Sequence, residues 1–206
     1  MMTPHVAAAV AALRDRCGAP TDPARRGPVA LDRNFQAANL LHVSLPELST
    51  AAVVRYLIAE RFVSGPHVLA EMPATADRID GFLFWAGTDG LAFINADHES
   101  PVARRRYTAA HELGHAILHR ERMGRFRVDV KITEDEEGDD HLECEANRFA
   151  AALLMPADVV AARADELRRK HGCCPRGVLA YRLAAELLVS REAMRYRLAD
   201  LELGDE

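Results

Sequence analysis

The chain has 206 residues, 49% of them apolar and 28% charged, which fits one globular domain of ordinary size that can bury a sizeable core. No apolar run approaches the roughly 20 residues of a membrane span, and a formal net charge of −5 gives no global drive toward nucleic acid. Cys17, Cys144, Cys173 and Cys174 form no C-x-x-C pair, and the adjacent two cannot close an ordinary unstrained disulfide with each other, so the chain reads as a resident of a reducing, cytoplasmic compartment.

The first helix is expected to start at Thr3 as N-cap, with Pro4 at the first helical position, and to stop at Gly18. Its alanine-rich stretch lacks a preceding basic region and is not read as a signal peptide. A loop, GAPTDPARRGP, follows. From Leu31 to about Phe62 helix formers dominate, broken near Pro46, with a cap at Ser49 or Thr50, so residues 1–65 read as an N-terminal helical region. The pattern then changes: GFLFWA and LAFINA, separated by Gly87-Thr88-Asp89-Gly90, predict a hairpin.

The next segment, YTAAHELGHAILH, has no proline and enough Ala, Leu and Ile to be a helix, expected over 102–120. Within it His111 and His115 are four residues apart, hence one above the other on the same helix face, with Glu112 beside them. Two neutral imidazoles at that spacing suit Zn²⁺, which in a catalytic site takes a third protein ligand and a water. Bound zinc brings the pKa of that water from near 16 to about 7, and the carboxylate next to the first ligand can take its proton during attack on a carbonyl. FRVDVKI, Phe126 to Ile132, alternates apolar and charged residues and predicts a third strand. The acidic run from Glu134 to Asp140 reads as a solvated loop rather than a calcium site, because its spacing departs from D-x-D-x-D-G.

Beyond His141 the chain reads as helix, with breaks at Pro156 and at Gly172–Pro175. Leu142, Ala146, Phe149, Ala150 and Leu153 form a core-facing stripe in the helix expected over 141–155. Two glutamates of that helix, Glu143 and Glu145, compete for the third ligand position, and they flank the stripe at similar angles. Asn147 shares the face of Glu143 and offers an amide to the second ring nitrogen of a metal-bound His, which favours Glu143 and leaves Glu145 as a helix-surface carboxylate or a partner of the helix dipole. Cys144 is a weaker candidate, since thiolates are more typical of structural sites. His119 continues the four-residue series but has drifted about 80° round the wheel from His111, as a helix-end residue would. His98 and His141 read as surface histidines, and Tyr107 as a packing residue.

RRRYTAAHELGHAILH, followed after the acidic loop by ECEANRFAAALLMP, resembles the ImmA/IrrE family of metallo-endopeptidases, bacterial and phage proteins with a zincin core. The resemblance also takes in FINADHESPVARRR and VSREAMRYRLADL, and so runs from Gly81 to Leu201; the first 65 residues show nothing that aligns. It implies zinc held by His111, His115 and Glu143, with Glu112 as the catalytic base. In some members it also implies cleavage of a helix-turn-helix repressor, in stress response or mobile-element control.

The fold expected is α+β: a mostly helical zincin-like metallopeptidase domain with a small antiparallel sheet beside the HExxH helix. The divisions expected are 1–65, a catalytic core at 66–156, and C-terminal helices at 157–206 that complete the domain. A rival reading makes the chain a non-proteolytic DNA- or protein-binding regulator with a structural or sensory metal. Pro175 to Leu188 and the helix from Arg191 have helix-turn-helix spacing, and Arg176, Arg182, Arg191, Arg195 and Arg197 outnumber the acids there. Leu179, Leu183, Leu187, Met194, Leu198 and Leu201 nevertheless form stripes that need covering, so direct nucleic-acid binding is not favoured.

Overall fold

Two apolar runs form the centre of the sheet in the computed structural model, which describes residues 3–18, 27–65, 79–129, 141–172 and 174–203. They are β2 (Gly81–Ala86) and β3 (Asp89–Asn95), joined by the tight turn Gly87-Thr88, where Gly87 takes a φ of 67° that an L side chain adopts only with strain. With β1 (Leu40–Leu45) and β4 (Phe126–Asp129) they make a four-stranded sheet in the order β1-β3-β2-β4. Both inner strands are covered on both faces, which is why they read as continuous apolar runs rather than alternating ones. Phe82, Phe84, Leu91 and Phe93 pack with Val53, Val54 and Leu57 of α3 (Thr50–Ala59). Leu83, Trp85, Ala92 and Ile94 join the larger core on the opposite face.

That larger core is built by α1 (Pro4–Arg16), α2 (Leu31–Ala37), α4 (Val102–Leu118), α5 (His141–Leu154), α6 (Ala157–His171), α7 (Arg176–Leu187) and α8 (Arg191–Asp200). The fold is the expected α+β class, mostly helical and zincin-like, but the sheet is mixed rather than antiparallel. The difference is β1, which lies where helix was expected and pairs parallel with β3 from Leu40↔Gly90 to Leu45↔Asn95. A side chain on Gly90 would overlap Leu40, so the pairing depends on a glycine about fifty residues away, and tertiary pairing overrides the local helix preference. The N-terminal region is therefore not wholly helical, and its strand is part of the sheet beside α4.

Helix starts follow their caps. Thr3 is extended ahead of Pro4, Ser49 Oγ accepts from the Ala52 N–H at 3.3 Å, and Ser190 Oγ accepts from the Ala193 N–H at 2.9 Å. Ser190→Ala is expected to cost about 1 kcal/mol of folding stability, read from urea unfolding, because α8 then starts with a donor unsatisfied.

Leu179, Leu183, Leu187, Met194 and Leu198 are buried, as their stripes require. Arg197 is buried as well: it donates to Met155 O at 3.0 Å and to Asp200 at 2.9 Å, which removes one arginine from any phosphate-binding face. Arg163 bridges α6 to α7 through two bonds to Glu186, at 2.7 and 2.9 Å. No helix among the described residues is long and apolar enough to cross a membrane. The acidic run Glu134–Asp140 and the Val130–Ile132 end of the third strand lie outside the described residues.

Candidate metal centre

Every residue of α4 from Tyr107 to His115 is buried, because this helix runs between the sheet and α5. The approach of α5 is close at Gly114, where an added Cβ would stand 3.1 Å from Phe149 Cδ1 and 3.3 Å from Ala146 Cα. A side chain at Gly114 would press on both neighbours, and this close contact brings Glu143, Glu145 and Asn147 up to the histidines of α4.

His111 Nε2 and His115 Nε2 come within 2.9 Å of each other. Glu143 closes the group, with Oε2 at 3.1 Å from His111 Nε2 and Oε1 at 3.3 Å from His115 Nε2. These ligand atoms all lie within 4.8 Å of one another, and the three residues form a cluster able to hold a metal ion. Metal–nitrogen distances of about 2.0–2.1 Å in a tetrahedron put ligand atoms roughly 3.3 Å apart, so the spacing fits zinc.

The protonation of His111 supports the same fit. Its Nδ1 lies 2.9 Å from Asn147 Oδ1, an acceptor that also receives the Tyr107 hydroxyl at 3.3 Å. Nδ1 therefore carries the proton, and Nε2 turns a bare lone pair toward the Glu143 carboxylate. A buried imidazole nitrogen and a part-buried carboxylate oxygen, both acceptors, facing each other at 3.1 Å are favourable only around a cation or a proton. Asn147 thus holds a histidine by its second nitrogen, as its position relative to Glu143 led us to expect.

Glu112 is fully buried on α4, against the first residue of β2. A Cβ on Gly81 would stand 2.5 Å from Glu112 Cδ and 2.9 Å from Cγ, so the carboxylate lies directly over the glycine backbone. Glu145 does not join the group around His111. It is 3% exposed rather than a surface carboxylate, and its Oε2 accepts from His119 Nε2 at 3.0 Å. Its Oε1 faces His5 Nε2 at 3.1 Å and His141 Nδ1 at 3.5 Å. Burial acts to raise the Glu145 pKa, but the His119 hydrogen bond and the charges of His5, His141 and His119 outweigh it and hold the carboxyl below its usual range. Burial pushes His119 below the ordinary imidazole value, against the opposing pull of Glu145.

Other candidates fall elsewhere. His98 is exposed in the turn after β3, and Cys144 is a thiol beside Glu143, outside the cluster. Tyr107 packs as expected, and its hydroxyl in addition bonds Asn147. Two participants were not foreseen. Arg127 of β4 donates to Glu143 Oε1; the alternation of FRVDVKI put it on the face opposite Phe126 and Val128, a signal that was on view. His119 is the helix-end residue expected, just past Leu118 with φ −121° and outside the metal-binding group, but its Nδ1 also lies 2.9 Å from His115 Nδ1, a contact the wheel does not show.

The family model of the IrrE N-terminal-like domain, a peptidase family, matches residues 65–199. None of the curated proteins matches the chain significantly. The chain belongs to this ImmA/IrrE metallopeptidase family, which implies a metal ion and a protein substrate.

Proposed function

We propose that this member of the IrrE N-terminal-like peptidase family is a zinc-dependent endopeptidase that cleaves a specific cytoplasmic protein, a helix-turn-helix transcriptional repressor, in stress or mobile-element control. The observation that carries the reading is the meeting of His111 Nε2, His115 Nε2 and Glu143 beside a fully buried Glu112. His111, His115 and Glu143 would hold the ion and leave a position open for water and substrate. Zinc, when bound, supplies a Lewis acid and a water acidified to near neutrality. A His₂Glu set also accepts manganese or iron, and the choice of zinc rests on the imidazole-rich donors.

The chain's own residues do the rest. Glu112 accepts the proton of the attacking water on its carboxylate and later delivers it to the leaving amine, while its burial keeps bulk water from that proton. Asn147 fixes the His111 ring, and Tyr107 steadies Asn147. Arg127 holds one oxygen of Glu143 and so limits rotation of that carboxylate. The substrate assignment rests on the resemblance of the two motif segments to family members that cleave repressors. The cytoplasmic setting rests on cysteine usage, with Cys17, Cys144 and Cys174 as free thiols.

Coexpression with the repressor encoded nearest to the gene tests the reading. Metal-dependent loss of that repressor with the wild-type chain supports it. An intact repressor beside a metal-loaded chain would point to another substrate.

A further inference from the structure

His111 and His115 are backed in different ways. Behind His111 stands the neutral amide of Asn147; behind His115 stands a second histidine and then a carboxylate. His115 Nδ1 lies 2.9 Å from His119 Nδ1, and His119 Nε2 lies 3.0 Å from Glu145 Oε2, with all three residues buried. The order of protons along this line is fixed by chemistry. A carboxylate only accepts, so His119 Nε2 carries a proton. A buried neutral imidazole carries only one, so His119 Nδ1 is bare and must accept from His115 Nδ1. That leaves the Nε2 of His115 with a free lone pair, directed at His111 Nε2 and Glu143.

We propose that Glu145 and His119 form a positioning relay behind His115, which holds its Nδ1 protonated and its Nε2 ready to bind the metal. Reversing either bond puts the proton on His115 Nε2 and removes it from the ligand set. The outer oxygen of Glu145 is closed by His5, from α1, and by His141, at the start of α5. The N-terminal helix thereby reaches the metal centre through three hydrogen-bonded side chains, although it lies outside the matched family region. A carboxylate at the end of such a line also makes the ligand nitrogen more basic.

The inference rests on His115 being a metal ligand, and the test separates the two claims. In metal-free wild-type protein with ¹⁵N-labelled histidines, long-range ¹H–¹⁵N spectra are expected to show His115 protonated at Nδ1 and pyridine-like at Nε2. His119→Phe and Glu145→Leu should shift that ring toward the Nε2–H form. Each should also weaken Co²⁺ binding about 10- to 100-fold in a chelator competition, with circular dichroism unchanged. His115 protonated at Nε2 in the wild type overturns the relay without recourse to any variant. So does Co²⁺ affinity within about twofold of wild type in either folded variant, given the 10- to 100-fold loss the relay requires. A wild-type chain that binds no Co²⁺ at all overturns the ligand assignment instead.

Discussion

Glu112→Gln is expected to bind zinc as tightly as the wild type and to lower kcat by about 10²- to 10⁴-fold, with KM little changed. The amide has nearly the same shape and occupies the same fully buried place, so neither packing nor the ligand cluster is disturbed. What it loses is the ability to take a proton from water and return it to the leaving amine, steps that matter only on the way to the transition state. Zinc stoichiometry and steady-state cleavage, measured on the same preparation, separate the two roles. Equal turnover by the variant would remove Glu112 as the base.

The second large effect is expected from a residue with no side chain. Gly81→Ala places a methyl group where the Glu112 carboxylate lies, with Cδ at 2.5 Å and Cγ at 2.9 Å from the new atom. Gly81 cannot yield easily, since it is held in the inner strand β2 and pairs with Ile94 on one side and Asp129 on the other. The carboxylate must therefore leave the place it holds over the glycine. A misplacement of about 1 Å costs on the order of 10²-fold in kcat. Overpacking adds roughly 1–3 kcal/mol of lost stability. Zinc binding should survive, because the three atoms nearest the new methyl all belong to Glu112, which is not one of the ligand residues. Full turnover in Gly81→Ala would mean that the glycine does not set the position of the base.

Local signals on α4 and α5 were strong enough to read without a structure. The His111–His115 spacing needs only 3.6 residues per turn, and Asn147 could be matched to Glu143 because both stand on one face of one helix. The hairpin was legible from its turn, although the inner strands show no alternation to mark them. β1 was not legible, because its strand character comes from pairing with β3 and from the space at Gly90, both remote in sequence. Gly81 was equally hidden, since the reason for its lack of a side chain sits on another element. Glu145 and His119 are more instructive. Glu145 is a buried carboxylate and not a surface one, and His119 is the helix-end residue its wheel angle suggests, the one at which α4 stops. Its partner is buried by the close α4–α5 contact at Gly114, which no single-helix projection contains. Histidines just past a helix end are better judged by which buried carboxylates the neighbouring helix offers.

Metal analysis of the purified chain tests the assignment of His111, His115 and Glu143 most directly. The wild type is expected to carry about one zinc ion per chain, to lose cleavage when stripped by a chelator, and to regain it on addition of zinc. The His111→Ala/His115→Ala double variant should retain less than about a tenth of that zinc. Undiminished zinc in the double variant, or undiminished cleavage by the stripped wild type, would contradict a catalytic ion at this cluster.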